Sequence, residues 1–400
     1  MTKLSERGNG APSSPIRRLT PFAEAARARG IVVHQLNIGQ PDIATPQVML
    51  DAYRNITDDV IAYSPSDGFR DYREKLAVYY APLVGETRPV TADDIVVTVG
   101  GSEALCFAIA AICDPGDEII VCEPFYTNYA GFSHMLSVQI KPVTTYAQEG
   151  FRIDVSRLAE AVGPRSRAIC LPSPGNPTGV VLSRDDLKAI AELCKEKDIF
   201  FICDEVYREF VYDGDPGELA PSILSIPGFE DHAIVIDSVS KRYSACGARV
   251  GALVTRQPAV RDAALRFAQA RLSPATVDQY AAMAALDTPE SYFRDVVDEY
   301  RARRDALVSG LHGIGVTCAC PQGAFYLVAT LPVDDADAFC EYLLESFSLE
   351  GETVMLAPAS GFYATPGLGK NEVRIAYVLD RPRLERSVRI LGAAIEAYTA

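Results

Sequence analysis

The stretch AIVIDSVSKRYSACGARVGALVT, residues 233–255, carries the pattern on which the fold prediction rests. Two apolar, β-branched runs, 233–240 and 249–255, flank a short turn that is rich in small and hydroxyl side chains. Such runs are typical of strands buried on both faces. Lys241 stands in the turn and Arg249 opens the second run, so the sequence predicts two cations where a buried strand ends.

Four further apolar runs precede this stretch and alternate with helical patterns. One helical pattern, 102–113, begins directly after Gly100-Gly101, and another, 183–197, begins after Ser183, a suitable N-cap. This alternation predicts an α/β fold with a mostly parallel sheet covered by helices. The four runs are IVVTVG (95–100), EIIVCEPF (118–125), RAICLPSP (167–174) and IFFICDEVY (199–207).

A smaller α/β domain is predicted after the last large-domain strand. A long amphipathic pattern at 289–315 is followed by two strand patterns, 323–331 and 372–379, with a helical pattern at 335–347 between them. We expect an N-terminal arm and part of the small domain in 1–50, a large domain in 51–288 and a small C-terminal domain in 289–400. Arg301, Arg303 and Arg304 are interpreted as a solvated helix face rather than a nucleic-acid patch. Carboxylates at 295, 298 and 299 balance them.

Charge and composition narrow the classes of function. The 400-residue chain has a formal net charge of −15, which disfavours nucleic acid and anionic membrane as partners. Residues 1–19 lack the apolar core of a secretory signal, and no apolar run approaches the ~18 residues of a membrane span. The ten cysteines are scattered without a C-x-x-C pair. We therefore expect no metal site or disulfide framework, but reduced thiols in a cytoplasmic protein.

Polar residues cluster where the predicted strands end, which is where open parallel sheets bind ligands. Singly, each has an ordinary explanation, such as a turn, a loop or a surface ion pair. Together they suit one site. The Gly101-Ser102 amides at a helix N-terminus, the hydroxyl of Ser238 and the guanidinium of Arg249 suit a phosphate.

The other residues at the strand ends suit an aromatic ring that carries an aldehyde. Tyr126 can stack on the ring, and Asp204 can keep a ring nitrogen protonated, as pyridoxal phosphate requires. Asn176 and Tyr207 can hydrogen-bond a phenolic oxygen, and Lys241 supplies an amine for the aldehyde.

With these residues in place, the sequence resembles the class I/II aminotransferases of pyridoxal phosphate fold type I, and more closely the bacterial aspartate aminotransferases. The resemblance extends from LNIGQPD (36–42) to VRIAYV (373–378). It implies a Schiff base to Lys241, with Asp204 as partner of the ring nitrogen. The other cofactor contacts that it implies are Gly101, Ser102, Tyr126, Asn176, Tyr207, Ser238 and Arg249.

The resemblance also implies substrate contacts and a homodimer. Arg374 matches the arginine that binds the substrate α-carboxylate, with Asn176 beside it, and Gly39 lies in the stretch that closes over the substrate. Tyr63 matches a tyrosine that reaches the phosphate of the neighbouring subunit, which implies a homodimer with shared active sites. Ala248 departs from many relatives, which have a bulkier residue before the phosphate-binding arginine.

The implied reaction is ping-pong transamination of an L-amino acid with a 2-oxo acid such as 2-oxoglutarate. Aspartate is the first expectation, followed by alanine or an aromatic amino acid. An aspartate enzyme needs a second cation for the distal carboxylate, and Arg17, Arg18 and Arg271 are candidates. For each, a surface or interface salt bridge is the ordinary alternative.

Several alternatives are weighed against transamination. A β-lyase or a ring-forming synthase would share the cofactor residues, and a non-catalytic sensor would keep the fold. The S-V-S-K pattern at 238–241 also fits the S-x-x-K box of penicillin-binding enzymes, but the chain has no K-T-G box. A dinucleotide site is disfavoured because VGGSEA lacks G-x-G-x-x-G.

Overall fold

The computed structural model describes residues 2–215 and 217–400. The strands of this part of the chain are β1 (Val32–Gln35), β2 (Ile95–Thr98), β3 (Glu118–Glu123), β4 (Gln139–Thr144), β5 (Ser166–Pro172), β6 (Phe200–Asp204), β7 (Ala233–Ser238), β8 (Gly251–Val254), β9 (Thr317–Cys318), β10 (Tyr326–Thr330), β11 (Glu352–Met355), β12 (Ala357–Pro358) and β13 (Glu372–Ala376).

The helices are α1 (Glu6–Asn9), α2 (Thr20–Ala28), α3 (Gln47–Arg54), α4 (Arg70–Tyr80), α5 (Gly100–Ile112), α6 (Asn128–Leu136), α7 (Val155–Ala161), α8 (Arg184–Lys197), α9 (Val239–Arg242), α10 (Pro258–Arg271), α11 (Thr276–Ala285), α12 (Glu290–Gly313), α13 (Ala336–Glu345) and α14 (Arg381–Thr399). Within the described ranges, none of them is long and apolar enough to cross a bilayer.

The central sheet has the order β2-β8-β7-β6-β5-β3-β4 and is parallel except for β8, which runs antiparallel to both of its neighbours. All six apolar runs form strands of this sheet, so the α/β prediction is confirmed. The seventh strand, β4, was not predicted. It is an edge strand, half-buried and interrupted by Pro142, and therefore lacks a continuous apolar run.

Both faces of the central sheet are buried, as the apolar runs predicted. Alternate residues of each strand enter different cores: Ile169 and Phe201 pack on one face, whereas Cys170 and Ile202 pack on the other. Helix α8 begins at a capping box in which Ser183 and Asp186 exchange hydrogen bonds with each other's backbone amides, which confirms the predicted N-cap.

Two smaller sheets lie outside the central one. Strands β12-β13-β10-β9 form an antiparallel sheet, and β1 pairs in parallel with β11. The pairing of an N-terminal strand with a C-terminal one is consistent with the expected contribution of residues 1–50 to the small domain. The boundaries at residues 50 and 288 stay a prediction.

The interpretation of the arginines on α12 as a solvated face was wrong for two of the three. Arg303 and Arg304 are buried. Arg303 pairs with Asp42 at 2.6 Å and with Glu299 at 2.7 Å, and Arg304 pairs with Asp213 at 2.8 Å. They join the helix to other segments, a role that charge patterning along one helix cannot reveal.

Candidate active site

A cavity of about 500 Å³ lies at the carboxyl edge of the central sheet. Eleven of the twelve residues predicted for the site line it, and their roles there stay predictions. They are Gly39, Gly101, Ser102, Tyr126, Asn176, Asp204, Tyr207, Ser238, Lys241, Arg249 and Arg374. The sheet brings them together because β2, β5, β6 and β7 end at this edge, and the antiparallel strand β8 begins there.

The turn between β2 and α5 forms a cradle of backbone amides at one end of the cavity. Gly100 has φ +71°, and a Cβ there would lie 2.6 Å from a guanidinium nitrogen of Arg249. Gly251 faces Thr98 on one side and Ser238 on the other. A Cβ on Gly251 would lie 2.5 Å from the carbonyl carbon of Gly100. Only glycine lets these backbones meet.

Hydroxyl groups and one arginine complete the cradle. The Ser238 hydroxyl donates to Ser240 Oγ at 2.9 Å, and Arg249 Nη1 lies 3.4 Å from the same Ser240 oxygen. Arg249 has φ +54° and also donates to the Cys246 carbonyl at 3.0 Å. A helix N-terminus, two hydroxyls and a guanidinium are suited to a phosphate dianion. Ser240 was not singled out from the sequence.

Asp204 is a buried carboxyl group at the end of β6. It accepts a hydrogen bond from the Tyr129 hydroxyl at 2.9 Å. Burial raises the pKa of Asp204 to about 6, despite the Tyr129 hydrogen bond. Within the described ranges, no lysine, arginine or histidine forms an ion pair with it. A protonated ring nitrogen is the kind of cation that would stabilise this carboxylate, so the residue fits the predicted cofactor.

Lys241 lies on the one-turn helix α9, directly after β7. Its Nζ donates to the Gly39 carbonyl at 2.8 Å and lies 3.5 Å from Cys246 Sγ. The side chain is partly buried, and in the described part of the chain it has no carboxylate partner. The amine is therefore held inside the cavity by neutral groups that it can leave without breaking an ion pair.

Tyr326, on β10, is a cavity residue that the sequence reasoning missed. Its hydroxyl lies 2.9 Å from the Tyr207 hydroxyl. A Cβ on Gly39 would lie 1.7 Å from the Tyr326 hydroxyl, so glycine is required where residues 36–42 cross the cavity. Tyr326 lies inside a predicted strand, GAFYLVATL, and nothing in that apolar run distinguishes it from a core residue.

Arg374, on β13, is buried and lies between the two domains predicted from the sequence. It donates to Asn176 Oδ1 at 3.1 Å and to the Asn37 carbonyl. Its guanidinium lies 4.6 Å from the ring centroid of Tyr326. Burial lowers the pKa of Arg374, and its Nε has no hydrogen-bond partner among the described residues. A buried guanidinium with a free donor suits a carboxylate ligand.

Tyr63 is the predicted site residue that lies outside the cavity. Its side chain is 80% exposed, and the side chains of Val60 and Ile61 beside it are also mostly exposed. Ala248 also lies outside: it is buried in the core beside Tyr243 and Val250. The small residue at 248 therefore affects core packing beneath the Lys241 turn, not the cavity wall.

The three arginines considered for a distal carboxylate differ in their surroundings. Arg17 lines the cavity, and among the described residues its side chain has no hydrogen bond or ion pair. Arg18 pairs with Asp337, and Arg271 lies 3.3 Å from Glu103 and donates to the Val97 carbonyl. Both of these arginines thus have the ordinary salt-bridge explanation.

Comparison with known proteins gives one consistent result. The model of the family "Aminotransferase class I and II" matches residues 31–391. The chain is 32% identical to the aspartate/prephenate aminotransferase of Thermus thermophilus, over 98% of this chain and 100% of that protein.

Solved structures agree. The aspartate aminotransferase from Thermus thermophilus with maleate superposes with a TM-score of 0.88 at 29% identity, covering 98% of this chain and 100% of that one. An alanine aminotransferase from Pyrococcus furiosus has a TM-score of 0.88 at 28% identity, covering 99% and 100%.

Without bound ligand, the protein is predicted to be more stable at neutral pH when the carboxyl group of Asp204 is removed. Because the folded-state pKa of about 6 exceeds the unfolded value of ~3.9, the folded protein keeps a proton that the unfolded chain releases. Stability contributed at this site is therefore lost as pH rises from about 4 to 6. Asp204→Asn should be more stable than wild type at pH 8 by up to ~3 kcal/mol, and the difference should disappear below about pH 4.

Thermal unfolding at a series of pH values measures this difference. Exposed Asp231→Asn is the matched control and should show no such pH dependence. Equal stability of wild type and Asp204→Asn across the range would contradict the assignment of a raised pKa to Asp204.

Proposed function

We propose that this chain, which belongs to the class I and II aminotransferase family, transfers the amino group of an amino dicarboxylic acid to a 2-oxo acid such as 2-oxoglutarate. Aspartate is the first candidate for the amino acid. Aminotransferases of this family use pyridoxal 5′-phosphate, and the cradle, Asp204 and Lys241 fit its phosphate, ring nitrogen and aldehyde. The observation that carries the choice of substrate class is Arg17 on the cavity wall, whose side chain has no hydrogen bond or ion pair among the described residues.

The proposed roles of the cofactor residues follow from their surroundings. The Gly101 and Ser102 amides, with Ser238 and Arg249, hold the phosphate. Tyr126 lies against the ring, and burial raises its pKa to about 12, so it stays neutral. The remaining contacts are Asp204 to the ring nitrogen and Asn176 with Tyr207 to the phenolic oxygen.

When bound, the cofactor supplies an electron sink for the electrons of the broken Cα–H bond. Asp204 keeps the ring nitrogen protonated and so maintains that sink. Lys241, whose amine would bind the aldehyde, would also be the base that takes the proton from the substrate Cα. We expect ping-pong kinetics, because the first amino acid would leave as its 2-oxo acid before the second substrate binds.

Arg374 orients the substrate for this proton transfer. Its free Nε and its two Nη groups can hold the α-carboxylate in a fork, with Asn176 beside it. The segment around Gly39 covers the substrate. Because the Cα–H bond must point at Lys241, a fixed carboxylate supplies much of the required orientation.

The dicarboxylate proposal has support from relatives. The structure of the Thermus thermophilus aspartate aminotransferase was solved with maleate, a dicarboxylate. The Thermus thermophilus protein that is 32% identical to this chain is named for aspartate and prephenate. In this chain the distal carboxylate would meet Arg17, which is free to turn towards it. The net charge of −15 does not oppose this, since the local cations Arg17 and Arg374 set the charge of the cavity.

Alanine is the second candidate substrate. Ile16, Ile38, Leu105 and Phe132 give the cavity an apolar wall that suits a methyl side chain. A Pyrococcus furiosus protein of the same fold is named as an alanine aminotransferase. A β-lyase or synthase stays an alternative on this scaffold, and it would release ammonia or a leaving group rather than a 2-oxo acid.

We further propose a cytoplasmic homodimer with shared active sites. Val60, Ile61, Tyr63 and Leu272 expose 76, 65, 80 and 53% of their area, a group of large apolar side chains that a second subunit would cover. Tyr63 would reach the phosphate of the partner. The ten cysteines are free in the structure.

Lys241→Ala tests the reaction itself. The wild-type protein with pyridoxal 5′-phosphate should be yellow and should convert amino acids to 2-oxo acids. The variant should lose the visible band and at least about 100-fold in kcat, because no other lysine is among the described residues that line the cavity. Lys188→Ala, on the exposed face of α8, is the control and should keep both properties. An active Lys241→Ala protein would reject the assignment.

Arg17→Gln tests the substrate class. The kcat/KM for aspartate should fall by about 10- to 100-fold, because a charged hydrogen bond is lost, while that for alanine stays the same or rises. Arg18→Gln, whose partner is Asp337, is the matched control. Equal losses for both amino acids would show that Arg17 does not read the side chain. Products identified by mass spectrometry in the same assays separate transamination from elimination.

Tyr63→Phe tests the shared site. Sedimentation should show a dimer for both proteins, and the variant should bind pyridoxal 5′-phosphate about tenfold more weakly because one phosphate hydrogen bond is lost. Tyr398→Phe changes another exposed tyrosine, one that lies outside the cavity, and should bind normally. A monomeric wild-type protein that is fully active would overturn the proposal of shared sites.

A further inference from the structure

A cluster of five buried charged residues lies beneath the turn that carries Lys241. We call it the buried charge cluster; its members are Glu205, Arg208, Glu209, Asp237 and Arg242. All are at most 6% exposed. None of them lines the cavity, and the transamination described above makes no use of them.

Arg208 forms the first half of the cluster. Its Nε and Nη2 donate to Glu205 Oε2 at 2.9 and 2.8 Å, and its Nη1 donates to the Tyr79 hydroxyl at 2.9 Å. The other oxygen of Glu205 accepts from the Ser222 hydroxyl and the Ile223 amide, both at 3.0 Å. Glu205 is thus fully hydrogen-bonded, and the guanidinium of Arg208 is fixed.

Arg242 forms the second half. It donates to Glu209 Oε1 at 2.5 Å and to Asp237 Oδ1 at 2.6 Å, and it stacks 4.2 Å from the ring centroid of Tyr79. Asp237 also accepts from the Tyr80 hydroxyl at 2.5 Å. The hydroxyl of Tyr79 donates to Glu209. The two halves therefore meet at Tyr79 and Tyr80 on α4.

The cluster and the cavity share the same two chain segments. Four members are direct sequence neighbours of proposed cofactor residues: Glu205 follows Asp204, Arg208 follows Tyr207, Asp237 precedes Ser238 and Arg242 follows Lys241. Successive side chains of a strand point to opposite faces. Asp237 and Ser238, on β7, follow this rule, and in the other pairs too one residue lines the cavity while its neighbour belongs to the cluster.

The cluster carries a net negative formal charge. Three carboxylates against two guanidiniums leave one formal negative charge, and Glu209 Oε2 has no hydrogen-bond partner among the described residues. Burial opposes the charge of Asp237, but the two arginines outweigh it and hold its pKa well below the usual range. Burial is the largest cause of the raised pKa of Asp204, and hydrogen bonds oppose it. The carboxylates of Asp237 and Glu205 raise this pKa by smaller amounts.

We propose that the buried charge cluster is a positioning network that fixes the Lys241 turn against α4 and whose net negative charge favours the protonated form of the Lys241 nitrogen in its bond to the cofactor. The inference rests on the proposed role of Lys241. Burying charged side chains costs more free energy than burying apolar ones. The proposal gives these buried charges a function.

Other groups also face the Lys241 nitrogen, and their charges are unchanged in the variants below. Its nearest neighbours are the Gly39 carbonyl, Cys246 Sγ and, at 5.9 Å, the ring centroid of Phe325. The remaining titratable or charged groups of the cavity are Arg17, Tyr126, Asp204, Tyr207, Arg249, Tyr326 and Arg374.

The sign of the charge change separates an electrostatic role from loosened packing. The measurement is the pH midpoint of the visible absorbance of the protein saturated with pyridoxal 5′-phosphate. Glu209→Gln is nearly isosteric and removes one negative charge, so the midpoint should fall by about 0.5–1 pH unit. Arg242→Met removes one positive charge, so the midpoint should rise by a similar amount.

Two controls complete the experiment. Arg256→Met removes another buried arginine, one that is held by backbone carbonyls and the Thr87 hydroxyl, and should lower thermal stability without moving the midpoint. Arg242→Lys keeps the charge and should restore most of the wild-type midpoint. If Arg242→Met does not fold, Glu209→Gln alone decides the sign.

The outcomes distinguish this inference from the proposed function. A wild-type protein without a visible band that titrates would reject the role of Lys241 itself. A normal wild-type band with a midpoint that stays unchanged or rises in Glu209→Gln, or that moves in the same direction in both variants, would reject the cluster's electrostatic role.

Discussion

The close approach of three backbone segments at Gly251 is the constraint on which the site depends. A side chain there would lie within 2.7 Å of the Gly101 amide nitrogen and the Asp237 carbonyl oxygen. Because β8 runs antiparallel, its first residue reaches the edge at which β2 and β7 end. Close backbone packing at Gly251 therefore brings the phosphate cradle, the Lys241 turn and Arg249 to one point of the sheet edge.

The two sides of these chain segments differ in how their charged residues are paired. On the cavity side, Lys241, Asp204 and Arg374 each lack an ion-pair partner among the described residues, and a ligand can therefore supply the opposite charge. On the other side of the same segments, every charge of the buried cluster contacts a partner of opposite sign. Asp204 and Lys241, which can bind a ligand, are thus each followed directly in the sequence by a residue of the buried cluster, Glu205 and Arg242.

Much of this could be predicted from the sequence. The apolar runs predicted six of the seven strands of the central sheet, because strands buried on both faces need continuous apolar side chains. Their polar ends predicted nine residues of the cavity, and the family resemblance added Gly39 and Arg374. The edge strand β4 was missed because half of it faces solvent. Tyr326 was missed because it lies in an apolar run of the predicted small domain, where nothing distinguishes it from a core residue. The burial of Arg303 depends on Asp42, 261 positions away, which local charge patterning cannot reveal.

The pairing of β1 with β11 has a consequence for the order of folding. His34 and Glu352, which form a 2.6 Å hydrogen bond across these strands, are 318 positions apart along the chain. Segments 14–17 and 38–39, which flank β1, form a wall of the cavity. During synthesis, this wall can be anchored only after the C-terminal strands have left the ribosome, because contacts of such separation close late. The strands of the central sheet lie closer together along the chain, so their pairing does not require the C-terminal strands.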